Sequence, residues 1–104
     1  MTLRDLEQVL AGACPETYRL AAPQGLQRFV VYLETPPLRI FGDNRTVEAI
    51  PTAAVHICTN NPEDTLVGAV CAALDDAQLP YSFAASGYNE DRNLLQTSLN
   101  VVVI

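Results

Sequence analysis

The feature that most constrains this chain is the stretch from Thr46 to Ala77, TVEAIPTAAVHICTN followed by NPEDTLVGAVCAALDDA. Its first half is β-branched and apolar enough for a long strand. Val47, Ala49, Pro51, Ala53, Val55 and Ile57 fall on one face, and Ile50, Thr52, Ala54, His56 and Cys58 on the other. Its second half is an amphipathic helix with Leu66, Val67, Val70, Cys71, Leu74 and Ala77 as the apolar stripe. Only a short asparagine turn separates the two. Asn61 suits the cap, Pro62 the first helical position, and Glu63 and Asp64 the positive helix end. A strand running straight into a helix is half of a β-α-β unit, so the remaining segments are expected to complete a sheet around that helix.

Pro51 cannot donate to a ladder in mid-strand, so an edge position or a bulge is expected there. The strand is expected to bend at that point, with its first half projecting as part of a hairpin. The partner is Leu38-Arg39-Ile40-Phe41, reached through the turn Gly42-Asp43-Asn44-Arg45. Upstream, Arg28 to Glu34 (RFVVYLE) is a strand whose two faces, Phe29/Val31/Leu33 and Val30/Tyr32, are both apolar. It is therefore covered on two sides or uses one side for contacts. Pro36-Pro37 removes two donors and is expected to end its pairing. Residues 2–13 form a first helix with Leu3, Leu6, Val9 and Leu10 on one stripe, capped by Thr2 and ended by Gly12 and Pro15. Residues 14–27 read as a connector, with Tyr18 and Leu20 as candidates for contact with the core. After the second helix, an extended segment from Leu79, a polar turn over 84–92 and a half-buried antiparallel strand from Leu94 to Ile104 close the chain.

With 104 residues, one domain spanning 1–104 is expected. The fold class is α+β: a mixed sheet of four to five strands packed against two helices, in the order α-β-β-β-α-β-β. The β-strand over 46–58 and the segment after the second helix are possible parallel neighbours through a crossover. No apolar run reaches the ~18–20 residues of a membrane span, and the amino-terminal residues do not read as a secretory leader.

Charge narrows the function classes. Twelve acids oppose six bases, all arginine, for a net charge of −6. The arginines are scattered, so no basic stripe is available to follow a phosphate backbone. Cys14, Cys58 and Cys71 are odd in number and match no zinc spacing, as befits free thiols in a reducing compartment. His56 and Cys58 share a strand face, but no third group in the sequence orients them as a base and nucleophile. No phosphate loop, calcium loop or zinc-protease motif is present. No catalytic, cofactor or metal residue is assigned, and an enzyme is not expected.

The runs RFVVYLE, IFGDNRTVEAI, AAVHICTNNPEDTL and YSFAASGYNEDRNLLQTSLNVVVI resemble a family of small tailed-phage and prophage proteins. These are the tail terminator, tail completion or head–tail joining proteins, also called minor tail proteins. The resemblance covers residues 28–104 and rests on Tyr32, Phe41-Gly42-Asp43-Asn44, Thr59, Pro62-Glu63-Asp64 and the terminal strand. It implies a homo-oligomeric ring, usually a hexamer, that terminates the tail tube. Its partners would be the tail tube protein and the head connector, with DNA passing through the lumen without specific binding. Its place would be the virion, at the tail end or neck, after assembly in the host cytoplasm. The subunit or tube interface is expected at Arg39, Phe41, Asp43, Asn44, Arg45 and Glu48. A head-completion or neck role in the same module is the first alternative. A small cytosolic ligand-binding or thiol enzyme domain using His56, Cys58 and Asp43 is the second.

Overall fold

A computed structural model describes residues 3–42, 45–90 and 93–103, with the side chains of Leu3, residues 38–42 and residues 45–48 left aside. The elements are α1 (Leu3–Ala13), β1 (Thr17–Arg19), β2 (Arg28–Gly42), β3 (Arg45–Thr59), α2 (Leu66–Asp76), β4 (Tyr81–Asn89) and β5 (Leu94–Val102). They form one five-stranded sheet in the spatial order β1-β2-β3-β5-β4. β1 runs parallel to β2, and the β2/β3, β3/β5 and β5/β4 pairs are antiparallel. The fold is α+β, with the helix and strand order expected from the sequence.

The identities of the strands differ in two places. The connector contributes β1, and what reads as two strands around Pro36-Pro37 is a single 15-residue strand. The prolines do not stop β2 because the ladder bulges around them. Thr35 pairs with Thr52 and Leu38 with Ile50, so Pro36 and Pro37 together oppose Pro51. A bulge leaves residues out of the ladder, which is where donorless residues do least harm. The Thr52 hydroxyl replaces a missing amide by donating to the Pro36 carbonyl at 2.9 Å, and it sits 2.7 Å from the Thr35 hydroxyl. β3 and β4 run parallel, as a β-α-β unit requires, but they are not neighbours: β5 is inserted between them and pairs with both.

Both helices pack on one face of the sheet. Leu6 and Leu10 of α1 and Leu66, Val70 and Leu74 of α2 meet Val30, Val55, Ile57, Leu99 and Val101, all fully buried. The opposite face carries a smaller cluster of Phe29, Val31, Cys58 and Leu94, covered by Tyr18, Ala22 and Leu26 from the connector. That explains why β2 is apolar on both sides: helices cover one side of its first half and the connector covers the other. Leu20 takes no part in this, being 69% exposed.

The entry to α2 also differs from expectation. The helix begins at Leu66, not at Pro62. Asn61 makes a local turn, its Oδ1 accepting from the Glu63 amide at 2.9 Å. The orphan amide of Leu66 is met instead by Asp64 Oδ1 at 3.0 Å. Asp64 Oδ2 accepts from Thr59 Oγ1 at 2.8 Å and from Arg28 Nε at 2.9 Å. One carboxylate thus ties the end of β3, the start of α2 and the start of β2 together. The Arg28 guanidinium, then the Thr59 hydroxyl, hold that carboxyl below its ordinary range. At the other end α2 closes with a left-handed residue, Gln78 (φ 60°). The Leu79 amide reaches the Leu74 carbonyl at 3.0 Å and the Gln78 amide that of Asp75 at 3.0 Å, which is the Schellman arrangement.

Candidate functional site

The part of the molecule that its own core does not account for is the distal half of the β2–β3 hairpin. β1 pairs with β2 only across Val30–Tyr32. β5 leaves β3 at Thr52, opposite Val102. Beyond these points, among the described residues, β2 and β3 pair only with each other. The last contact with the body is the Val103 amide on the Pro51 carbonyl at 2.8 Å. At ~3.4 Å per residue the ribbon runs on for roughly 20 Å past Thr35. The long axis of the molecule is accordingly 49 Å against 27 and 22 Å, and the radius of gyration is 14.6 Å, whereas a compact chain of this length has about 13 Å.

The three prolines stand at the base of this ribbon, so the sequence marks where it leaves the sheet. The ladder places Arg39 opposite Ala49, Ile40 opposite Glu48, Phe41 opposite Thr46 and Gly42 opposite Arg45. Four of the six expected interface residues, Arg39, Phe41, Arg45 and Glu48, therefore lie along the two distal strands. Asp43 and Asn44 lie outside the described residues, as does Thr2, the expected cap of α1. A two-stranded ribbon is at best marginally stable alone in water and needs a surface to lie against.

A second feature is the exposed edge strand β4: its start matches the extended segment expected from Leu79, but residues 84–89, expected as part of a turn, continue the strand to Asn89. Residues 82–88 are exposed throughout. Phe83 and Tyr88 keep 65% and 53% of their surface in solvent. Phe83 meets Tyr81 edge to face at 6.3 Å, and the Tyr81 hydroxyl donates to Asp75 Oδ2 at 3.4 Å. That phenol is pushed up to about 12, first by its hydrogen bond with Cys71. The signal for the longer strand was present in SFAASGYN, which lacks any charge, but from Ala84 on its serine and glycine read as a turn.

His56 lies on the sheet face away from the helices. Its Nδ1 is 2.8 Å from Ser98 Oγ, directly across the ladder, and 3.3 Å from Gln96 Nε2. Cys58, two residues on, is buried in the smaller apolar cluster. His56 and Cys58 thus share a face, and the imidazole meets a serine and a glutamine. Asp43, the third residue of the thiol reading, lies outside the described residues. Among the described residues no group of three or more His, Cys, Asp or Glu side chains is gathered as a metal site, and no helix is long and apolar enough to cross a membrane.

The fold and this geometry define a two-layer α+β body with a projecting two-stranded ribbon. No protein-family model matches the chain, and no curated protein sequence matches it. Solved structures do share the fold. One is a chain of the virion of a native gene transfer agent particle, 18% identical, with a TM-score of 0.50 over 90% of this chain and 81% of its own. Another is 12% identical, with a TM-score of 0.50 over 97% of this chain and 89% of its own.

Proposed function

We propose that the chain is a structural assembly protein of a tailed phage or phage-like particle, forming a homo-oligomeric ring that terminates the tail tube and presents a surface for head joining. The observation that carries this reading is the ribbon. A protein that acts alone has little use for a hairpin that extends well past its sheet, whereas an assembling subunit uses one to reach its neighbour. Arg39, Phe41, Asp43, Asn44, Arg45 and Glu48 are the contact residues in this reading. The fold shared with a gene transfer agent virion chain supports it. So does the charge: an acidic ring, at −6 per subunit, gives DNA few cations to exchange for its counterions and lets it slide without sticking.

Electron microscopy of particles made without this protein tests the proposal. Overlong tails are the result expected of a missing terminator. Tails of normal length that carry no heads would assign the joining or head-completion role instead. Normal virions would contradict both.

A further inference from the structure

Edge strands are normally guarded by charges, prolines or bulges against pairing with other chains. β4 has one bulge, between Phe83 and Ala85, but from Tyr81 to Asn89 it has no proline and no charged residue. In a chain of net charge −6 that is a local exception: no acid lies within β4, and the nearest described ones are Glu90, just past its end, and Asp75 of α2, which accepts from the Tyr81 hydroxyl. No strand among the described residues pairs with the outer side of β4, and its exposed aromatics, Phe83 and Tyr88, offer apolar surface on the helix side.

The ribbon is the second local exception. Residues 38–48 contain Arg39 and Arg45 against Asp43 and Glu48, so the segment is neutral and the whole −6 resides in the rest of the chain. Two identical acidic bodies repel one another, and the repulsion is weakest where neither facing surface carries net negative charge. The ribbon and the β4 edge are two such surfaces, and they differ: one projects from the sheet, and the other is an edge that no described strand pairs with. Unlike surfaces that fit one another make a head-to-tail contact, which closes into a ring when the rotation permits.

We infer that β4 is the acceptor edge for the ribbon of a second copy of this chain, which adds its backbone to the sheet beside β4 and covers Phe83 and Tyr88. This rests on the assembly reading above but names the receiving surface, which that reading leaves open. Arg45–Ile50 is the longer donor strand, with six residues between the turn and Pro51 against five, 38–42, between Pro37 and the turn.

Sedimentation velocity on three forms of the full chain tests the inference. The edge-charged variant Ala85→Lys/Ser86→Lys places cations on exposed positions of β4. The ribbon-less variant replaces residues 38–48 with an Asn-Gly turn. Circular dichroism melting checks that each is folded. The wild-type chain is expected to associate as its concentration rises, and each variant alone to associate roughly tenfold or more weakly. Mixed together, the two variants are expected to form a heterodimer and go no further, because one supplies only a ribbon and the other only an edge. A mixture that stays monomeric, or a wild-type chain that does not associate, overturns the inference. A ribbon-less variant that dimerises alone overturns it in favour of β4 pairing with β4. Assembly that needs the ribbon but ignores the β4 lysines leaves the ring reading standing and removes β4 from it.

Discussion

Two residues show how locally this fold is specified. Gln78 holds a left-handed backbone, φ 60°, to close α2, a conformation that costs a residue with a Cβ about 1 kcal/mol relative to glycine. Gln78→Gly is therefore expected to raise stability by about 0.5–1 kcal/mol in urea unfolding. Asp64 is the opposite case, a side chain whose loss is felt at three elements. Its ion pair with Arg28 contributes little, since the arginine side chain is 46% exposed and water screens the charge. The bonds to Thr59 and to the Leu66 amide matter more, and Asp64→Ala is expected to cost about 1–3 kcal/mol. The pH dependence has a definite sign. The carboxyl is held low in the folded chain, so its contribution is present above the ordinary carboxylate pKa and fades as pH falls through the folded value. Urea titrations across pH 2–6 should show a shallower loss of stability in Asp64→Ala than in the parent (pH range about that of carboxylates). The cap itself was half legible. An acidic helix start was evident from NPED, but the cap was expected at Asn61, and it is Asp64, held by its tertiary contacts with Arg28 and Thr59, that meets the Leu66 amide.

At the scale of elements, burial separates strands that stabilise the body from a strand left for contacts. Leu99 is fully buried opposite Val55 in the helix-covered layer. Leu99→Ala should cost about 2–5 kcal/mol by the loss of its contacts and the cavity left behind. Phe83→Ala removes a larger side chain on the adjacent strand, yet Phe83 is 65% exposed, so it should change the stability of the monomer by less than about 1 kcal/mol. Thermal unfolding of the two variants side by side tests this, and a large loss in Phe83→Ala would mean that β4 belongs to the body. The helices and the terminal strand were legible because their periodicities are strong: Leu6 and Leu10, Leu66, Val70 and Leu74, Leu99, Val101 and Val103 all sit where the patterns put them. β1 was not legible, because three residues are too few for a period. β4 was legible only in its first residues, as far as Phe83, and its continuation to Asn89 was not, because an exposed strand has no alternation to read. The continuity of β2 through Pro36 and Pro37 depends on a bulge opposite Pro51, a pairing that no single segment reveals.

At the scale of the whole molecule, the sheet and helices bury a core of their own, whereas the distal β2 and β3 residues pair only with each other among the described residues. The hairpin was readable as a projection because Pro51 and Pro36-Pro37 all argue against a place inside a sheet. What the ribbon touches was not readable, since a contact between copies leaves no trace in the pattern of one chain's core. Amide hydrogen exchange measures this directly. In the free subunit, the distal ribbon amides over 38–42 and 45–50 should exchange much faster than those of Val55 and Ile57, because only one neighbouring strand holds them. In assembled particles the same ribbon amides should become protected while the core changes little. Ribbon amides that exchange equally fast in both states would contradict the claim that this hairpin joins the subunit to its neighbours.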